Sequence, residues 1–178
     1  MRFVGIDYSM TSPAMCIAGK DSLAFESCEV YYLTSQKKFI GKFGNVIGTE
    51  MPDWTSPEQR FDLISEHFVK LLLSSDLVLV EDYAFGAKGQ VFHIGENTGL
   101  LKHKMYQRRI SFDTIAPTAL KKFATGKGNA DKARMNEAFE EQTNFSVRKK
   151  LNCSENQWNP ASDIVDAYFL CAKKVSGA

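Results

Sequence analysis

Four carboxylates stand at the ends of three separated apolar runs. Asp7 closes Arg2-Phe-Val-Gly-Ile-Asp7, and Glu81 closes Leu77-Val-Leu-Val-Glu81. Asp163 and Asp166 open Ser162-Asp-Ile-Val-Asp-Ala-Tyr-Phe-Leu-Cys-Ala172. Each has an ordinary explanation alone. Asp7 can cap a turn, and acids in a first helical turn complement the helix dipole. Of Glu81 and Asp82, one is expected at the core edge and the other in solvent; Glu81 directly extends the apolar run. Residues three apart on a helix share a face, so Asp163 and Asp166 can serve one site. If the three elements lie side by side, several negative charges occupy one small volume. Like charges that close raise one another's pKa and call for protons or cations. Oxygen donors suit hard divalent cations, and the chemistry such a pair supports best is phosphoryl transfer.

A second group is basic. Thr125-Gly-Lys-Gly-Asn-Ala-Asp-Lys132 is a glycine-bounded turn entering a helix. Exposed backbone N–H groups with Lys121, Lys122, Lys127 and Lys132 nearby would suit a phosphate. The P-loop spacing is absent, and an ordinary connection between two helices would look the same. Residues 88–150 hold 13 Lys/Arg against 6 Asp/Glu, and the rest of the chain 9 against 15. A basic middle beside an acid-bearing remainder fits a nuclease, though charge runs are also solvated faces. Lys102, Lys104 and Arg108 end a helical pattern, where they could equally complement its dipole.

The elements that must position these residues follow from periodicity. Strands are expected at Arg2 to Asp7, Pro13 to Ala18 and Leu23 to Leu33, with Gly19 to Ser22 as a hairpin connection. Residues 34–56 read as loop. Ser56-Pro57-Glu58 is a helix start, and Phe61, Ile64, Phe68 and Leu71/Leu72 recur at helical spacing. A buried parallel strand from Asp76 to Glu81 follows, then a helix over 90–109 and a strand from Ser111 to Ala116. A helix begins at Pro117 and Gly126-Lys-Gly128 stops it. Another begins at Asn129 or Ala130 and runs to about Gln142, and Pro160 starts the last. A meander followed by strand–helix alternation predicts a mixed sheet with helices on both faces.

At 178 residues the chain is expected to be one domain, 1–178, with a substantial core. The net charge of +1 points to no partner by itself. No apolar run is long enough to span a membrane, and no signal-peptide pattern opens the chain. Cys16, Cys28, Cys153 and Cys171 are widely spaced without a C-x-x-C pair, so reduced thiols in a cytoplasm-like compartment are expected.

The combination resembles one family. Ile115-Ala-Pro-Thr-Ala-Leu-Lys-Lys-Phe-Ala-Thr-Gly-Lys-Gly-Asn-Ala-Asp-Lys132 is similar to the P-x-x-[VL]-K-K-x-x-T-G-x-G-x-A-x-K signature of RuvC-type Holliday-junction resolvases. Asp163-Ile-Val-Asp-Ala167 resembles their D-x-x-D-A helix, Gly5-Ile-Asp7 their opening strand, and Val80-Glu81 their second acidic strand. The resemblance covers essentially the whole chain. It implies an RNase H-like fold, with a mixed five-stranded sheet and helices on both faces. It also implies a homodimer, two Mg²⁺ per active site with Mn²⁺ as a substitute, and paired nicking of four-way and other branched DNA. Carried over by position, the metal-binding and catalytic acids are Asp7, Glu81, Asp163 and Asp166.

Departures from the pattern mark a divergent, viral-type member, which would act in a host cytoplasm. Asp7-Tyr-Ser stands where bacterial members tend to have D-P-G. Tyr168 stands where histidine is frequent. The position of the junction-engaging aromatic is Ala84, flanked by Tyr83 and Phe85, the two residues expected to stack on DNA. Two other classes stay open. An actin-like ATPase or sugar kinase also opens with an Asp-ended strand and a hydroxyl-rich loop, here Asp7-Tyr-Ser-Met-Thr. A catalytically silent branched-DNA-binding protein could use the same fold.

Overall fold

The alternation at the start of the chain becomes the middle of a sheet. The protein is described from a computed structural model, over residues 1–20, 22–82 and 91–177. Strand β1 (Arg2–Asp7) pairs antiparallel with β2 (Ala14–Gly19), which pairs antiparallel with β3 (Glu29–Thr34). On its other side β1 runs parallel to β6 (Leu77–Glu81), and β6 runs parallel to β7 (Ser111–Ile115). Beyond β3 lie β5 (Val46–Glu50), parallel to β3, and β4 (Gly41–Phe43), antiparallel to β5. The order across the sheet is β4-β5-β3-β2-β1-β6-β7.

Helices cover both faces, as the pattern predicts. Period-two alternation sorts the strand side chains between them. Val4, Ile6, Met15, Ile17, Val78 and Val80 share a core layer with Ile64, Phe68 and Val69 of α1 (Pro57–Val69) and Leu101 and Met105 of α2 (Val91–Gln107). Phe3, Ala14, Cys16, Ala18 and Leu79 face the opposite layer. Its helical partners come from α3 (Pro117–Thr125), α4 (Lys132–Thr143), the single turn α5 (Val147–Lys150) and α6 (Ala161–Ser176). On α6, Ile164, Val165, Phe169 and Leu170 are all essentially inaccessible. Burial of that kind contributes roughly 1.5–3 kcal/mol per side chain.

The expected caps are present. Ser56 Oγ accepts from Gln59 N at 3.2 Å, and Gly126 ends α3 in the left-handed conformation at φ 78°. The start of the fourth helix is set by Asp131, whose Oδ1 accepts from Arg134 N at 2.8 Å, so the helix opens slightly later than expected. Arg2 clamps the start of β6: its Nε and Nη2 donate to the two oxygens of buried Asp76 at 2.9 and 2.7 Å.

Two expectations need correction. The third strand does not begin at Leu23: Phe25–Ser27 form a short 3-10 turn, and the strand starts at Glu29. Residues 34–56 are not simply loop. They carry β4 and β5, so the sheet has seven strands rather than five. Gly48 makes the extension possible. A Cβ there would sit 2.1 Å from Phe39 O and 2.5 Å from Tyr32 Oη, and Tyr32 Oη donates to Phe39 O at 2.5 Å.

Candidate active site

Asp7 and Glu81 are neighbours by register. The parallel ladder of β1 and β6 ends by pairing Ile6 with Val80, so the next residues on each strand are the two acids. Alternation turns both toward the face that α6 covers, the side of Phe3 and Leu79. Above them α6 crosses β1 at Gly5. A Cβ on Gly5 would lie 2.2 Å from Ala167 O and 2.3 Å from Cys171 N, a contact only glycine permits. That close approach brings Asp163 and Asp166 down onto the strand ends.

The resulting cleft, about 480 Å³, is lined by Asp7, Glu81, Asp82, Asp166, Lys121 and Lys132 among others. Burial raises the Asp7 pKa well above its usual range, and the charges of Asp163, Glu81 and Asp166 raise it further. Burial, then Glu81 and Asp163, push Asp166 up to about 8. Glu81 is pushed up to about 7, mainly by burial, with Lys121 pulling the other way and Asp163 adding to the rise. The four acids therefore act on one another as a cluster.

Asp163 is held differently. Its pKa is raised by burial, against which Ser12, Lys132 and Asn159 pull it down. Ser12 Oγ donates a short hydrogen bond to Asp163 Oδ2. Asn159 Nδ2 donates to the same oxygen at 2.7 Å and to Ser12 Oγ at 2.9 Å. Asn159 Oδ1 in turn accepts from Lys132 Nζ at 2.7 Å. These contacts fix the Asp163 carboxylate from behind. The sequence reading missed Asn159. Ser12 directly follows the hydroxyl-rich loop, and Ser9 Oγ closes the turn by accepting from Ser12 N at 3.0 Å.

Asn97 of α2 was also missed. It lines the cleft, is 1% exposed, and among the described residues neither amide atom has a hydrogen-bond partner. A buried amide left unpaired is costly, and one facing a polar cleft invites a ligand. Among the described residues the cleft is lined by carboxylates with no thiolate or imidazole, so its charged donors are oxygens. That chemistry, together with the buried like charges, fits hydrated Mg²⁺ or Mn²⁺. Among the described residues no three of these side chains already converge as a cage. The fit is therefore one of donor type and charge.

The cations predicted from sequence divide into four groups. Lys121 and Lys132 line the cleft, whereas Lys122 and Lys127 are exposed outside it. Lys102 pairs with Asp82 at 3.2 Å, at the cleft's edge. Lys104 reaches Asp62 at 2.7 Å and Glu66 at 3.3 Å, and Arg108 reaches Glu66 at 2.9 Å, so both tie α2 to α1. Tyr83 and Phe85 lie outside the described residues. Tyr168 is in the core, not the cleft. Its ring packs edge-on against Phe25 and Phe139, and its hydroxyl accepts from Gln142 Nε2 at 3.2 Å.

No family model and no curated protein sequence matches the chain. Solved structures do. Thermus thermophilus RuvC superposes with a TM-score of 0.60 at 15% identity, covering 96% of this chain and 91% of that one. T. thermophilus RuvC in complex with Holliday junction substrate gives 0.60 at 16%, covering 96% and 90%. The chain has the RuvC-type, RNase H-like fold, here on a seven-stranded mixed sheet.

Proposed function

We propose that this RuvC-type chain is a metal-dependent, structure-selective DNA endonuclease that resolves four-way and other branched DNA by paired nicks. The observation that carries the reading is that Asp7, Glu81 and Asp166, from three elements, line one cleft with Lys121 and Lys132, while the charge of Asp163 acts on all three acids. The junction complex of the T. thermophilus protein, on the same fold, adds support for the substrate class. Divalent cations held by the four acids would supply an activated water and stabilise the leaving 3′ oxygen, giving a 5′ phosphate on the product.

The chain's own groups have separable tasks. Lys121 and Lys132 offset phosphate charge at the cleft wall. Ser12 and Asn159 hold Asp163 in one orientation, so that it does not need to reorganise when the phosphate arrives. The Asn97 amide offers a donor and an acceptor to phosphate oxygen or to bound water. In this reading the nuclease unit spans residues 1–178, and the protein works in the cytoplasm. Among the described residues no helix is long and apolar enough to cross a membrane.

Paired nicks on a two-fold junction call for two active sites on a matching axis, hence a homodimer. Helix α2 is the proposed interface. Phe92 and Tyr106 are 86% and 75% exposed. Fourteen residues apart, they fall on nearly the same face, with roughly 21 Å of helix between them. Purified protein should be incubated with four-way, three-way, flap and linear DNA in Mg²⁺, Mn²⁺ or EDTA. Paired nicks in the four-way junction, dependent on the metal, are expected. Binding without cutting in either metal would favour the silent-binder alternative, and ATP turnover without DNA the phosphotransferase alternative. Sedimentation as a monomer, with and without junction, would remove the dimer.

A further inference from the structure

A smaller cleft of about 180 Å³ opens beside the acid cleft, walled by Met10, Trp54, Pro57, Arg60, Phe61 and His93. The two are contiguous, because Met10 lines both. Met10 follows Asp7 by three residues, a span of at most roughly 11 Å. The small cleft is therefore within one or two nucleotides of any phosphate held by the acids.

Its walls are aromatic and cationic. Trp54 is 45% exposed, the condition of a ring kept for contact rather than for core packing. The Arg60 guanidinium stacks on the indole at 4.8 Å from the centroid, and its Nη2 donates to Met10 O at 2.5 Å. The guanidinium plane is thus fixed from the side of the acid cleft. Arg60 Nε is buried and has no hydrogen-bond partner. Phe61 and His93, with ring centroids 6.0 Å apart, complete the wall. The site has π faces, one spare N–H donor, and room for a single planar heterocycle.

We propose that this cleft holds one unpaired nucleobase of the strand whose phosphate enters the acid cleft. A paired base would have to be unpaired and unstacked to enter, at a cost of a few kcal/mol, whereas a base freed at a strand crossover would not. Stacking on Trp54 would be sequence-tolerant because every base has a π face, and Arg60 adds a cation–π contribution. A base carbonyl or ring nitrogen would accept from Arg60 Nε once entry of the base had uncovered that buried donor. The inference rests on the nuclease reading above. It deepens that reading by naming the feature that distinguishes a branch from intact duplex.

The test uses the full chain in EDTA, so that binding is read without cutting. Tryptophan fluorescence is titrated with short oligothymidylate and with blunt duplex, for the wild type and Trp54→Phe. Quenching by oligothymidylate but not by duplex, lost in Trp54→Phe, is expected. In parallel, Trp54→Ala is measured on a four-way junction with normal crossover bases and on one with abasic sites there. The variant should bind the normal junction between about five- and 150-fold more weakly than wild type, the equivalent of 1–3 kcal/mol for one base on one ring. On the abasic junction the two proteins should bind alike. The absence of Trp54-dependent quenching, or an equal loss on abasic junction and duplex, overturns the proposal. So does a wild-type self-association that Trp54→Ala dissolves, which would make a second copy the occupant. If quenching holds but no branched DNA is ever cut with metal, the base subsite stands and the endonuclease reading falls.

Discussion

Replacing Asp166 by Asn should change how the metal-free protein responds to pH. A carboxyl whose folded pKa is raised keeps its proton in the native state after the unfolded chain has released it. The native state then binds more protons than the unfolded one, and stability falls as pH rises through that window. For Asp166 the window runs from its ordinary value of 3.8 to about 8. At roughly 1.4 kcal/mol per unit, the full shift sets a ceiling of about 6 kcal/mol. Glu81, pushed up to about 7, reports much of the same repulsion, so the two shifts are not added. Relaxation and water entry reduce the net effect to roughly 2–4 kcal/mol, or about 5–15 °C for a chain of this size. Melting curves in EDTA between pH 5 and 8.5 should therefore show wild type losing more stability than Asp166→Asn, with the two converging at low pH. Mg²⁺ at pH 8.5 should restore much of the wild-type loss and do little for the variant. Parallel curves for the two proteins would refute the clustered-charge argument. So would a wild type that gains stability toward pH 8.5 relative to Asp166→Asn.

Single replacements Asp7→Asn, Glu81→Gln and Asp163→Asn should each abolish cutting while leaving junction binding intact or tighter; near-normal cleavage by one would remove that residue from the acid set. Gly5→Ala would place a methyl group 2.2 Å from Ala167 O, so α6 must shift, at a cost of about 1–3 kcal/mol read as a lowered melting temperature. An unchanged melting temperature would mean that α6 does not rest on β1 there. Lys121→Ala with Lys132→Ala should flatten the salt dependence of junction binding by roughly one unit of slope per lost phosphate contact. Lys104→Ala and Arg108→Ala, which remove ion pairs to α1, should change stability by less than about 1 kcal/mol and leave that slope alone. A slope change in the second pair would place those cations on DNA after all.

What could be read from sequence followed local rules. Period two placed Asp7 and Glu81 on the same face as Phe3 and Leu79, and the i, i+3 rule placed Asp163 beside Asp166. Ser56, Pro57 and Gly126 marked helix ends by backbone chemistry that needs no tertiary partner. The missed features all depend on distant pairing. Short β4 and β5 are rich in Gly and Lys, and they become strands only because β3 offers an unpaired edge and Gly48 lets Tyr32 through. Asn159 matters because it meets Ser12, 147 residues away. Lys104 and Arg108 read as DNA-binding cations, with the dipole of their own helix as the alternative, but the residues that engage them, Asp62 and Glu66, sit on another helix.

The acids of the cleft do not share one role, and their surroundings explain the division. Asp163 accepts from Ser12 and Asn159, and both contacts favour its ionised form. Asp166 and Glu81 have no such donors among the causes of their shifts, and only Lys121 and Lys132 oppose their protonation. Near neutral pH the site therefore combines one carboxyl oriented by two donors with Asp166 and Glu81, poised between protonated and charged. If the cleft takes divalent cations as proposed, protons and cations would compete for those neighbours, because either relieves the repulsion. Cation affinity should then fall as pH drops through the range of about 8 to 7 set by Asp166 and Glu81, with protons released on binding. The backbone that makes this possible is the glycine contact between β1 and α6. It brings the four carboxyls together before any cation is present, so the repulsion is built in by folding and its relief is left to the ligand.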